Sequence, residues 1–422
     1  MNKVVSERLG EEYISLTHSS GLKMKLYQMK GFSSAYAMFA TEYGSIDVEF
    51  KTNKDEDFIK IPAGTAHFLE HKLFESEEGD AFSRYAATGA SANAYTSFDR
   101  TAYLFSCADN FEESIEILLD FVTNPYFTPE TVQKEQGIIG QEIRMYDDSP
   151  DWRVMFNMIE KMYSKNSVRE DIAGTKESIA QITADMLYRC YRTFYNLNNM
   201  VLVVAGNFEV EAVLRAADKI LKKSEDITIE RKLQEEPNDV EQNYVEQKLP
   251  VADPMFEIGF KGISINKEEN FKGSVLDEIV QEVMIGESSE LYSKLYDDGL
   301  INADFGKESF AGRDYIMMLF SGESKEPERV FAEIKKKVAE VIEKGVDEKR
   351  FEMCKKAMYG KYIRMMDITE NVANLLLSSH FAGTDPYELR EVIAKADAQT
   401  INKRMKECYN AERSVLSVIK AG

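Results

Sequence analysis

Apolar positions along the chain follow two alternating periods. Residues 34–40 and the apolar run 200–206 are strand-sized. Residues 91–97 and 101–106 read as adjacent strands, with turn residues Asp99 and Arg100 between them. Helical spacing predicts a helix over 63–74, with Ala66, Leu69 and Leu73 on one stripe. A second helix over 111–123 carries Ile115, Leu118, Leu119 and Val122 at the same spacing. A third begins at Thr128-Pro129, a cap followed by proline at the first helical position, and runs to about Asp147 ahead of Ser149-Pro150. Its Ile138, Ile139 and Ile143 are expected to hold it against a core. Helices grouped beside a largely antiparallel sheet predict an α+β fold.

The chain also repeats itself. Tyr195-Asn196 precedes Val201-Leu202-Val203-Val204, and Tyr409-Asn410 precedes Val415-Leu416-Ser417-Val418, an offset of 409 − 195 = 214 in a chain of 422. At the same offset Ile179-Ala180 matches Ile393-Ala394, and Thr183 matches Asp397, both good N-caps. We expect two similar domains from an internal duplication, each a largely antiparallel sheet with helices packed on it. The N-terminal one would span 1–230 and the C-terminal one 246–422. The polar, acidic stretch 231–245, around Gln234 to Asn243, would be the linker.

Hydrophobic residues make up 44% and charged residues 30% of the chain, which suits a folded globular protein rather than a disordered one. The formal charge of −21 argues against nucleic acid or an anionic membrane as the main partner, since both select a basic face. No run approaches the ~20 apolar residues of a membrane-crossing helix, and the N-terminus has no apolar core of a signal peptide. Cys107, Cys190, Cys354 and Cys408 are widely spaced and form no CxxC pair, so buried free thiols and a cytoplasmic setting are expected.

Of the four histidines, His67 and His71 fall in His67-Phe68-Leu69-Glu70-His71. On a helix, positions i, i+3 and i+4 share a face, so His67, Glu70 and His71 point the same way. Two imidazoles one turn apart can reach one ion. Zinc favours that set, completed by a carboxylate and an open fourth position. The order inverts the HExxH motif of metallopeptidases. The helix over 128–147 offers Glu135 and Glu142, seven residues apart and so on one face, with Glu142 lying 142 − 71 = 71 residues beyond His71. The plainer alternatives are two solvated histidines and an exposed acidic helix face.

HxxEH, about seventy residues, then Glu-x6-Glu resembles the pitrilysin/insulinase family of inverzincin peptidases. So do Gly64-Thr65-Ala66 ahead of the motif and the segment Gly89 to Thr96, which is similar to that family's Asn-Ala-x-Thr substrate strand. Length and duplication resemble its two-domain, processing-peptidase-like bacterial branch. The resemblance implies a zinc metalloendopeptidase holding one zinc ion per chain through His67, His71 and Glu142. Glu70 would be the general base, and Glu135 would orient one histidine. Ser91, Asn93, Ala94 and Tyr95 would pair with an extended peptide substrate.

One part of the family pattern is missing. Active relatives carry an Arg and a Tyr in a segment like Leu-Arg-Glu-x-Gly-Leu-x-Tyr. Here Leu295-Tyr296-Asp297-Asp298-Gly299-Leu300-Ile301-Asn302 puts Tyr296 and Asn302 at those positions, with Arg313 and Tyr315 as nearby substitutes. A weaker match, Phe82-Ser83-Arg84-Tyr85 up to Gly89 with Tyr292-Ser293-Lys294-Leu295 up to Gly299, has an offset of 210 and sets Asp277, Val280 and Gln281 opposite His67, Glu70 and His71, so the second half is expected to lack a metal set. The expectation is a heterodimer whose related partner lacks HxxEH and supplies the Arg/Tyr pair, with a homodimer as the variant. The competing readings are a non-catalytic structural or regulatory subunit, and a zinc site that is only structural. No phosphate loop, GxGxxG or GxSxG motif accompanies these residues.

Overall fold

The computed structural model describes residues 2–77 and 79–422. The first sheet has seven strands: β1 (Asn2–Ser6), β2 (Glu11–Thr17), β3 (Lys23–Gln28), β4 (Ala35–Thr41), β5 (Ser91–Thr96), β6 (Thr101–Cys107) and β7 (Met200–Gly206). They lie in the order β1-β2-β3-β7-β4-β6-β5, antiparallel except where β7 meets β3. Every residue of β4 and β7 is buried, as central strands covered on both faces must be. The edge strand β5 exposes Ser91 and Asn93 instead.

The second sheet has β8 (Tyr244–Leu249), β9 (Met255–Lys261), β10 (Gly306–Ala311), β11 (Ile316–Glu323) and β12 (Ser414–Ala421), in the order β8-β12-β9-β11-β10. Strand for strand this repeats β3-β7-β4-β6-β5, including the single parallel pair. The duplication holds at the level of single hydrogen bonds. Thr183 caps its helix at Met186 N and Asp397 caps its own at Thr400 N; Asn196 accepts from Asn198 N and Asn410 from Glu412 N. The chain is thus α+β, with two similar halves.

The helices of the two units include α1 (Thr65–Leu73), α2 (Phe111–Thr123), α3 (Pro129–Asp147), α4 (Pro150–Met162), α5 (Lys267–Ile285) and α6 (Thr369–Ala382). α1 and α2 pack on the first sheet, as α5 packs on the second. The compact units are not the two sequential halves. Residues 144–169, which include α4, belong with the second sheet, and residues 364–381, most of α6, belong with the first. Each half therefore lends a helix to the other's sheet. α4 lies against β8, β9 and β12, with Asn157 Nδ2 donating to Gln247 Oε1 at 2.7 Å. In the turn between β5 and β6, Arg100 Nη1 donates to Ser378 Oγ at 2.8 Å and its guanidinium lies 5.7 Å from the Phe381 ring centroid.

The acidic stretch between the halves is not a free tether. The Glu236 carboxylate accepts from the backbone N–H groups of Ser164, Lys165 and Asn166 at 2.7–2.9 Å and from Lys261 Nζ at 2.6 Å. Burial opposes its charge, but these donors win and hold it below the ordinary carboxylate range. All four cysteines are free and buried. Among the described residues no helix is long and apolar enough to cross a membrane.

Candidate metal centre

The local sequence fixes where α1 starts. Gly64 precedes it at φ 85°, and a Cβ there would lie 2.4 Å from the Ala173 carbonyl oxygen, so only glycine fits without strain. Thr65 Oγ1 donates to Pro62 O at 2.6 Å and Ser178 Oγ donates to Ala63 O at 2.8 Å, which ties the helix entry to the 173–178 segment. Ala66, Phe68, Leu69 and Leu73 are buried. The opposite face carries His67, Glu70 and His71, as the spacing predicts.

α3 is capped by Thr128, whose Oγ1 accepts from Thr131 N at 3.2 Å, with Pro129 as its first residue. Val132, Glu135, Ile139 and Ile143 form its buried stripe, and Glu142 lies on the same side. One expectation fails here. Ile138 is 45% exposed rather than in the core, because it sits on the flank of the helix and lines an open cavity of ≈ 690 Å³. Glu70, His71, Phe74, Asn93 and Ala94 line the same cavity.

His67, His71 and Glu142 converge. Each offers a ligand atom within 4.8 Å of the others. His67 Nε2 stands 3.7 Å from Glu142 Oε1, and His71 Nε2 stands 3.4 Å from Glu142 Oε2. Donors at zinc–nitrogen and zinc–oxygen distances around a tetrahedral ion would be about 3.3–3.5 Å apart, so the spacing suits a shared cation. His67 Nδ1 is buried with no hydrogen-bond partner among the described residues. The His71 ring is oriented from behind: its Nδ1 lies 3.0 Å from Glu135 Oε1, which leaves Nε2 facing Glu142.

Electrostatics favour the same use. Burial, aided by the neighbouring His71, pulls His67 down to about 3, so its imidazole is neutral and can offer a lone pair. Burial also works against a charged His71, but the hydrogen bond to Glu135 and the charges of Glu70, Glu142 and Glu135 outweigh it and raise its basicity. Burial, reinforced by Glu142, pushes Glu70 up against the opposing pull of Thr96 and His71. Two imidazoles and one carboxylate are a donor set for zinc with a position left open. Among the described residues this is the cluster of metal-ligating type.

The residues expected to meet substrate lie on β5, whose one strand neighbour among the described residues is β6. Its other edge pairs with no strand among the described residues. Asn93 Oδ1 turns back to accept from Ala94 N at 2.9 Å. Tyr95 is partly buried, and burial raises its hydroxyl. Sequence reasoning overlooked Thr96, whose Oγ1 donates to Glu70 Oε2 at 2.7 Å. It stood in the quoted Asn-Ala-x-Thr segment, but nothing in the spacing ties it to Glu70. In the second half, Tyr296 is 51% exposed, Asn302 donates to Glu323 at 3.1 Å, and Tyr315 is buried against Gly312.

An inverted HxxEH helix on a duplicated α+β scaffold has a known family behind it: the chain belongs to the insulinase family, peptidase family M16. Its residues 60–176 match the profile described as Insulinase (Peptidase family M16), and residues 181–358 match the one described as Peptidase M16 inactive domain. A relative in Bacillus subtilis, named as the uncharacterized zinc protease YmfH, is 37% identical over 412 residues, 96% of each chain. An M16-like peptidase of Alicyclobacillus acidocaldarius superposes with a TM-score of 0.93 at 33% identity, covering 97% of this chain and 98% of its own. A protease of Helicobacter pylori shares the fold, with a TM-score of 0.83 at 18% identity over 97% and 99% of the two chains.

Proposed function

We propose that the chain is a zinc-dependent endopeptidase acting on unfolded peptides. His67, His71 and Glu142 would hold one zinc ion, Glu70 would be the general base, and Glu135 would fix the His71 ring. The observation that carries this reading is the convergence of His67, His71 and Glu142, with ligand atoms within 4.8 Å of one another and imidazole-to-carboxylate contacts of 3.7 and 3.4 Å, and with Glu70 on the same helix face. Names of zinc proteases among the relatives support it.

Zinc, when held there, supplies Lewis acidity for attack on a peptide carbonyl. The chain's own groups do the rest. Neutral His67 and the Glu135-oriented His71 keep their lone pairs directed at the shared point. Glu70, pushed towards higher basicity by burial, takes the proton of the attacking water and returns it to the leaving amine. Ser91, Asn93, Ala94 and Tyr95 place an extended peptide along the open edge of β5 through main-chain hydrogen bonds, which serve many sequences alike.

We place the metal-bearing function in the N-terminal domain, 1–230, and read 246–422 as its counterpart without a metal site. The Arg/Tyr pair is absent from the segment where active relatives keep it, since Tyr296 and Asn302 stand there. This supports a heterodimer in which a related subunit supplies the pair. Four free thiols suit a reducing, cytoplasmic setting.

Glu70→Gln tests the reading. The variant should bind zinc as the parent does while hydrolysis of an unfolded peptide falls by about 10²–10⁴-fold. Unchanged hydrolysis would remove Glu70 as base. If the parent hydrolyses no peptide even with its related subunit present, the non-catalytic reading replaces this one.

A further inference from the structure

The proposed base is held by Thr96, the last residue of the Asn-Ala-x-Thr segment and one with no role assigned so far. Thr96 closes β5, and its hydroxyl makes the one side-chain hydrogen bond that Glu70 receives among the described residues, 2.7 Å to Oε2. Neighbours settle the direction of that bond. Thr101, the register partner of Thr96, gives its single proton to the Tyr43 carbonyl at 2.9 Å. Its Oγ1 is 3.4 Å from Thr96 Oγ1, beyond the usual length of an O–H···O bond. An ionised carboxylate only accepts. The Thr96 proton therefore goes to Glu70.

The hydroxyl is backed by a buried polar row. Thr101 lies behind it, and further along the same strand the Tyr103 hydroxyl lies 2.8 Å from that of Tyr195. Thr101 and Tyr103 are fully buried and Tyr195 nearly so. Alternation along the strand puts Ala92, Ala94 and Thr96 on one face. The two alanines leave room there for α1, and Thr96 reaches it.

We propose that Thr96 is a positioning residue for Glu70, and that it couples substrate seating to the base. It pins one carboxylate oxygen and leaves the other for the attacking water. Because it belongs to the strand whose open edge takes the peptide, any shift of β5 on peptide binding moves the hydroxyl that holds Glu70. This rests on the peptidase reading above.

The test compares Thr96→Val, which keeps the shape and loses the donor, with Thr96→Ser, which keeps the donor. Thr96→Ala repeats the comparison if valine does not fit at the strand end. With full-length, zinc-loaded protein, Thr96→Val should lower kcat about 10–100-fold with KM and zinc content nearly unchanged, and Thr96→Ser should restore most of it. In a Glu70→Gln background Thr96→Val should cost nothing further. Full kcat in Thr96→Val, or a serine variant as slow as valine, overturns the inference and leaves the peptidase reading intact. A parent that cleaves nothing sinks that reading instead. Crystal structures then decide the inference alone: a Glu70 carboxylate displaced in Thr96→Val and retained in Thr96→Ser supports it, and one unmoved in both overturns it.

Discussion

The helix α1 and its counterpart α5 occupy the same place on sheets of the same topology, and they handle buried polar groups in opposite ways. On α5 everything is settled internally. Asp277 is fully buried in a bidentate pair with Arg404, at 2.9 and 2.7 Å. Gln281 Nε2 donates to the carbonyl of Glu308 at 2.7 Å. Room for the guanidinium comes from Gly273, where a Cβ would stand 2.7 Å from Arg404 Nη2. On α1, His67 and His71 instead face the Glu142 carboxylate of α3 at 3.7 and 3.4 Å. A buried charge with an internal partner is satisfied within the fold, whereas side chains that converge on one point are suited to a ligand. On the proposed reading, a duplicated fold keeps its scaffold and assigns binding to one copy only.

The sharpest way to break this comparison is to remove the internal partner. Arg404→Ala leaves Asp277 buried and uncompensated, and urea unfolding should show a loss of about 3–5 kcal/mol. Burial already pushes the Asp277 carboxyl up to about 6 against the pull of Arg404, so the variant should suffer most at neutral and alkaline pH, where an unpaired carboxylate must either stay charged in the core or take up a proton. An unaltered unfolding curve would mean that α5 is not stabilised by this pair.

A second contrast lies at the centre of the sheets. Met38 on β4 faces Leu104 and Val203; at the equivalent place on β9, Glu257 faces Ser321 and Ser417. Burial, with help from the charge of Glu308, pushes Glu257 up to about 8. The folded state then keeps a proton that the unfolded chain has lost above the ordinary glutamate range. Stability from this group is present at low pH and declines as pH rises towards 8. Glu257→Met, which copies the first sheet, should match the parent near pH 4 and exceed it by roughly 1–4 kcal/mol near pH 9. Parallel stability curves across that range would contradict the assignment.

The smallest expected effect concerns the group behind the metal cluster. Glu135→Gln keeps the shape of the partner of His71 Nδ1 and removes its charge. Titration with zinc should show affinity weaker by about 10–100-fold, with the fold unchanged by circular dichroism. Equal affinity would reduce Glu135 to a buried helix residue.

Much of this was legible in the residues. The spacing of His67, Glu70 and His71 carries its own geometry, because a helix face follows from i, i+3 and i+4 alone. Helix α2 begins and ends where its apolar stripe does, and the 214-residue offset reappears as matched strand registers. The rest depends on distance between segments. Thr96 and Glu70 are 26 positions apart and meet only after β5 packs beside α1. The exchange of α4 and α6 was hidden because periodicity tells which face of a helix is buried and not which sheet buries it. Glu236 read as linker because acidic polar stretches do, and its three backbone donors come from a loop 70–72 residues earlier. Ile138 differs from Ile139 by one position on the helix, and that 100° turn carries it out of the core.

The central claim is that two imidazoles and a carboxylate close around one cation on the first sheet alone. Crystals of the full chain equilibrated with zinc and measured at the zinc absorption edge test it directly. The account predicts one anomalous peak bonded to His67 Nε2, His71 Nε2 and Glu142, with none beside Asp277. A first-sheet cluster that stays empty, or a peak held by other residues, would contradict it.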